Sequence, residues 1–131
     1  MKKLGIINRD ISRVLGYLGH TDTITVADCG LPIPDQVECI DISLAMNVPR
    51  FIDVLKEINK DLVVEKIILA DNIRTKNVGI YDALMAIYSH VEVEFVTHTQ
   101  FKEMTKSSKV IIRTGEATPY ANIIFQSACK F

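Results

Sequence analysis

The regular exchange of short β-rich runs with segments of helical period constrains this chain more than any single motif does. Thr23 to Ala27, Val37 to Ile42, Glu65 to Ala70, Val91 to Thr97 and Lys109 to Arg113 are rich in branched apolar residues, and each reads as a strand. Ahead of the first, Asn8 is placed to cap a helix in which Ile11, Val14, Leu15 and Leu18 recur at helical spacing, with Gly19 suited to a left-handed C-cap. Pro49 suits the first turn of a second helix that carries Ile52, Leu55, Ile58 and Leu62 on one face. A third helix is expected from about Val78 to Tyr88, and a short one near Phe101. This alternation predicts an α/β fold: a single domain over residues 1–131, with a mainly parallel, Rossmann-like sheet flanked by helices. The last apolar run, Asn122 to Ala128, follows the loop from Thr114 to Ala121 with no helix between, and is expected to close the sheet.

Composition narrows the partners. With 131 residues, 48% of them apolar, the chain is long enough to bury a sizeable core as one domain. Fifteen basic residues against sixteen acidic ones leave a net charge of -1, so no positive field favours nucleic acid or an anionic membrane. The apolar run near the N-terminus stops after Ile7, too short for a signal-peptide core, and a cytoplasmic protein is expected. Cys29, Cys39 and Cys129 form no CxxC pair and are odd in number, which predicts three reduced, buried and inert thiols.

In an α/β sheet of this kind, ligands collect outside the carboxyl ends of the strands. Asp28, Asp71, His98 and the Arg113-Thr114-Gly115 turn fall at four such ends. His20 lies on the loop after the first helix, and either the fold or a second subunit must bring it to that edge. Each residue also has a purely structural reading. His20 and His98 can favour the negative end of a helix dipole. Asp28 can bond the backbone two residues on, and Asp71-Asn72 can cap the next segment. Arg113 can pair with Glu116 or another acid, and Tyr120-Ala121-Asn122 can be an ordinary strand start.

Other chemistries find less support. His20, Asp28, Cys29 and His98 lack the spacing of a zinc site, so no metal is expected. The six glycines form neither dinucleotide nor phosphate-loop patterns, and no cofactor is expected. Cys29, beside the negative charge of Asp28, is a poor nucleophile.

Three motifs in order resemble the ribose pyranase and fucose mutarotase family: Leu18-Gly19-His20-Thr21-Asp22, Asp28-Cys29-Gly30-Leu31-Pro32-Ile33-Pro34, and Arg113 through Asn122. The resemblance spans essentially the whole chain. Thr21, Gly30-Leu31-Pro32 and Thr118-Pro119 are similar to the ribose branch; Cys29 departs from it, since alanine is more usual there. The resemblance implies an isomerase that interconverts the pyranose and furanose forms of D-ribose without cofactor or metal. It implies His20 as the catalytic acid/base, with Asp28, His98, Tyr120, Ala121 and Asn122 binding substrate, and Lys102 as a weaker candidate for the same pocket. It further implies a ring-shaped homodecamer in which the Tyr-Ala-Asn segment reaches a neighbour's pocket. The chemistry is consistent, because an imidazole titrates near neutrality and can both take and return a proton. Two alternatives remain open among sugar-binding proteins, a non-catalytic ribose-binding module and a fucose-type mutarotase, and a third is a purely structural oligomer subunit.

Overall fold

The computed structural model describes residues 1–131, and its strands and helices follow the expected order. The strands are β1 (Thr23–Ala27), β2 (Glu38–Asp41), β3 (Val64–Ala70), β4 (Glu92–Val96), β5 (Val110–Arg113) and β6 (Ile123–Ser127). The helices are α1 (Arg9–Tyr17), α2 (Phe51–Asp61), α3 (Ile73–Lys76), α4 (Val78–Tyr88) and α5 (His98–Met104). The one-turn α3 was not expected from the sequence, since four residues carry too little periodicity to announce a helix.

Local chemistry sets most boundaries. Asn8 caps α1, its side-chain oxygen accepting from the amides of Asp10 and Ile11. Thr97 and Gln100 form a capping box at the start of α5, just where β4 ends. Two expected caps are corrected. Leu18, in extended conformation, ends α1, and the left-handed residue is Thr21, at φ 70° rather than Gly19. The Asp22 carboxylate accepts from the Gly19 amide and closes this turn without a left-handed glycine. Pro49 lies one residue ahead of the N-cap Arg50 instead of in the first turn of α2.

Six strands form one sheet in the order β2-β5-β1-β6-β3-β4. β1, β2, β3, β4 and β5 all run the same way, and β6 runs against its neighbours β1 and β3. The last strand therefore does not close the sheet at an edge; it lies inside and joins two parallel parts. The reason is the connection: β6 leaves the end of β5 through a loop without a crossover helix, so it can only return antiparallel. Both sides of β5 are already taken by β1 and β2, which leaves the gap between β1 and β3. The order is consequently not that of two successive βαβαβ halves, and the expected Rossmann-like arrangement gives way to a mixed sheet.

Alternation along the strands divides the core. Ile24 and Val26, Ile67 and Leu69, Val110 and Ile112, and Ile123 and Phe125 face the larger layer under α1, α2 and α4. Ala27, Ile68, Ile111 and Ile124 face a smaller layer covered by Phe101 of α5 and by Leu31 and Val37. The cysteines lie outside both layers: Cys39 is exposed, and Cys29 and Cys129 are half-buried, so the expectation of buried thiols fails. Cys39 sits on an edge strand, where one side has no neighbour to cover it. Partial burial and the nearby Asp41 push its thiol above the ordinary value, against the opposing pull of Arg113.

Candidate active site

Because β6 runs backwards between β1 and β3, it begins at the edge of the sheet where the other five strands end. Asn122, immediately before β6, thus arrives beside Asp28, immediately after β1. The two side chains interlock. The Asp28 amide donates to Asn122 Oδ1 at 2.9 Å, and Asn122 Nδ2 donates to Asp28 Oδ2 at 3.0 Å. The other Asp28 oxygen accepts from the Gly30 amide at 2.9 Å, so the expected turn contact two residues on is also made. Asp28 is held through both oxygens, and its remaining lone pairs can still accept from a ligand.

Tyr120 and His98 complete this edge. Tyr120 takes a left-handed conformation, φ 59°, and its carbonyl accepts from the Asn122 amide. Its ring meets the His98 ring edge-on, with centroids 5.0 Å apart and an interplanar angle of 86°. Ala121 is fully buried, and Asn122 nearly so. His98 is the first residue of α5, and its Nδ1 is buried with no hydrogen-bond partner. Burial and the Lys102 charge lower the affinity of this imidazole for a proton, with Asp28 pulling weakly the other way. A buried ring nitrogen without a partner is a place for a ligand's polar group. Lys102 also lines a groove of about 440 Å³ with Pro32, Ile33 and Pro34.

The loop between β5 and β6 is built to present these residues. Thr114 Oγ1 donates to the Ala27 carbonyl, the Cys29 amide donates to the Glu116 carbonyl, and the Arg113 guanidinium donates to the Cys29 carbonyl. Arg113 pairs with Asp41 at 2.9 Å rather than with Glu116. Each of these two neighbours helps hold the other charged: Ser43 and Arg113 keep Asp41 below the ordinary carboxyl value, and Asp41 raises Arg113. Glu116 is fully buried and satisfied by Arg50 Nε, the Phe51 amide and Thr118 Oγ1, so it ties the loop to the start of α2. Asn77 fixes Thr118 and the Pro119 carbonyl from the other side. Gly115 has no alternative here: a Cβ would lie 2.3 Å from the Val48 carbonyl oxygen. Asp71, by contrast, pairs with Arg74, and Asn72 at the N-cap of α3 makes no side-chain capping bond.

His20 is not with them. It stands at the opposite edge of the sheet, where the Thr21 amide donates to the Ser127 carbonyl at the far end of β6. There His20 Nε2 lies 2.6 Å from Glu65 Oε2, and Gln126 Nε2 donates to Glu65 Oε1 at 2.9 Å. The structure therefore gathers Asp28, His98, Tyr120, Ala121 and Asn122 within one chain and leaves His20 apart. Within the chain, Asn122 is bonded to its own Asp28 and Ala121 is buried in its own core. Glu116, Asn77 and Glu65 were not singled out from the sequence. Glu116 had no signal beyond its place in the third motif and a possible pairing with Arg113, and Asn77 lies in no motif, its partners being 41 and 42 residues away in the chain. No group of three or more His, Cys, Asp or Glu side chains converges, and no helix is long and apolar enough to cross a membrane.

Comparison with known proteins gives the same outline. Residues 1–130 match the model of the RbsD / FucU transport protein family. D-ribose pyranase of Geobacillus thermodenitrificans is 52% identical over 131 residues, covering 100% of this chain and 99% of that protein. D-ribose pyranase of Halalkalibacterium halodurans is 50% identical, with both chains covered completely. Bacillus subtilis RbsD complexed with D-ribose superposes with a TM-score of 0.98 at 44% identity over 100% of both chains. A fucose mutarotase from Streptococcus pneumoniae complexed with L-fucose shares the fold, with a TM-score of 0.84 at 20% identity over 100% of both chains.

Proposed function

The chain belongs to the RbsD / FucU family, and from that membership we propose that it is an isomerase interconverting the pyranose and furanose forms of D-ribose. Full-length identity of about half to D-ribose pyranases carries this reading, together with an unpartnered imidazole nitrogen beside a fixed carboxylate. In the reaction, the anomeric hydroxyl gives its proton to a base and the bond from the anomeric carbon to the ring oxygen breaks. The ring oxygen takes a proton and the aldehyde is free. Attack by a different hydroxyl on the same carbon, with the proton transfers reversed, closes the other ring. Nothing is oxidised or reduced, and one imidazole serves as base and acid in turn.

His20 is assigned the proton transfers. Asp28 accepts from sugar hydroxyls, and neutral His98 offers the acceptor or donor that a hydroxyl requires. Tyr120 covers the ring and bonds with its phenol, while the 121–122 backbone and the remaining N–H of Asn122 line the same edge. Such pairing is needed because each buried hydroxyl without a partner costs about 1–3 kcal/mol. Since His20 and the Asp28 cluster lie at opposite sheet edges, a complete site is assembled between protomers, with His20 arriving from a neighbour. A ring-shaped homodecamer in the cytoplasm meets that need. The exposed Leu4, Ile7, Tyr17, Leu44 and Met46 supply apolar surface for subunit contacts. The chain acts as one ribose pyranase-like domain over residues 1–131.

Saturation-transfer NMR on ribose tests the assignment. His20→Ala is expected to keep assembly and ribose binding within about tenfold while catalysed exchange falls about 10²–10⁴-fold. Unchanged exchange in that variant would falsify it, and a protein that binds ribose without ever accelerating exchange is the binding module instead.

A further inference from the structure

The far edge of the sheet carries a feature that the assignment of His20 alone does not explain. On β6, Gln126 and Ser127 are consecutive, yet their partners on β3 are Lys66 and Val64. Glu65 is the extra residue of a β-bulge, and bulges turn a side chain away from the direction that strand alternation would give it. Here the turned side chain is the carboxylate that meets His20 Nε2 at 2.6 Å. We propose that Glu65, aimed by this bulge and clamped by Gln126, is the positioning residue of His20, selecting which imidazole nitrogen carries the proton. This rests on the reading of His20 as the proton carrier.

An ionised carboxylate only accepts hydrogen bonds. Glu65 therefore requires a proton on His20 Nε2, and the neutral imidazole then bears its lone pair on Nδ1, which has no partner within the chain. Nδ1 is thus the nitrogen that takes the anomeric proton, and the ring becomes an imidazolium stabilised by the same carboxylate. Gln126 makes the arrangement directional. Its amide N–H donates to Glu65 Oε1, which commits that oxygen and leaves Oε2 for His20.

That geometry specifies the test. In Glu65→Gln, Gln126 still donates to the side-chain oxygen at position 65, so the new amide N–H faces His20 and the proton moves to Nδ1. Ring exchange on ribose is expected to fall about 10²-fold with ribose affinity within about threefold, because the base is lost and the sugar contacts are not. Long-range ¹H–¹⁵N spectra, assigned by the signals missing in His20→Ala, are expected to show His20 protonated at Nε2 in the wild type and at Nδ1 in Glu65→Gln. The double variant Glu65→Gln/Gln126→Glu reverses the clamp: the carboxylate at 126 accepts the amide N–H of residue 65, whose oxygen turns to His20. Exchange is expected to recover at least tenfold over the single variant, with the Nε2 proton restored. Wild-type exchange in Glu65→Gln, an unchanged tautomer, or a double variant no better than the single one overturns the proposal. Should the wild type show no exchange at all, the isomerase reading fails, and the tautomer measurements alone decide the pairing.

Discussion

The two edges of the sheet differ in how their polar residues are held. At the carboxyl edge, Asp28, Asn122, Tyr120 and His98 are half-buried or buried, Asp28 and Asn122 locked by hydrogen bonds to each other and the His98 ring packed edge-on against Tyr120. At the opposite edge, His20 and Glu65 stand half open to solvent, on a turn and a bulge. On the proposed assignment, the groups that recognise the sugar are pre-organised in the protein, and the group that exchanges protons is left accessible. The length of β1 and β6 keeps the two edges apart within the chain, and the proposed function therefore draws on two protomers for each site.

That contrast is easiest to break by mixing. If sites form between protomers, His20→Ala and Asp28→Asn chains are each expected to lose exchange by about 10²-fold or more, and mixed oligomers reassembled from both to recover about a quarter of the wild-type rate. A mixture as inactive as its components shows that each site lies within one chain. The next effect is on stability. Gly115→Ala forces a Cβ into the backbone of residues 45 and 48, and is expected to cost about 3 kcal/mol, read from urea unfolding, with exchange lost as the 114–122 loop shifts. Asn122→Ala removes two bonds to Asp28 at a buried position. A loss of about 1–3 kcal/mol is expected by the same measurement, with ribose affinity reduced and the His20–Glu65 pairing unchanged in NMR spectra.

The smallest effect is on pH dependence. Because folding lowers the proton affinity of His98, the unfolded chain protonates first as the pH drops below about 6.5, and stability falls as the pH passes down toward the folded value. Above that window the group has no effect. His98→Asn is expected to flatten this decline in a series of melting temperatures, whereas the same series for His98→Asn and wild type coinciding at every pH removes burial of that ring as the cause.

Much of the fold was legible because it is local. β1, α4 and the helical face of Ile11 and Val14 follow from spacing within a dozen residues, and the Asp28 turn from its own neighbours. What escaped depends on pairings between distant segments. The place of β6 is decided by which strand edges remain free, and an apolar run of five residues reads the same inside a sheet or at its rim. Asn122 meets Asp28 across 94 residues, and Glu65 meets His20 across 45. A bulge is a mismatch of register between two strands, and neither strand alone contains it. The motif around His20 and the one around Tyr120 indicated the family correctly, and the place of His20 on the loop after α1 already set it apart from the carboxyl edge, but neither indicated its pairing with Glu65.

The interior position of β6 also determines how this sheet can fail. It is the one strand hydrogen-bonded to both parallel parts, so any opening there bares the long inner flanks of β1 and β3 together. Such flanks are templates for strand addition by another chain. Amide exchange should accordingly be slowest along Ile123 to Phe125, and the conditions that begin to release those amides are those in which the protein starts to aggregate.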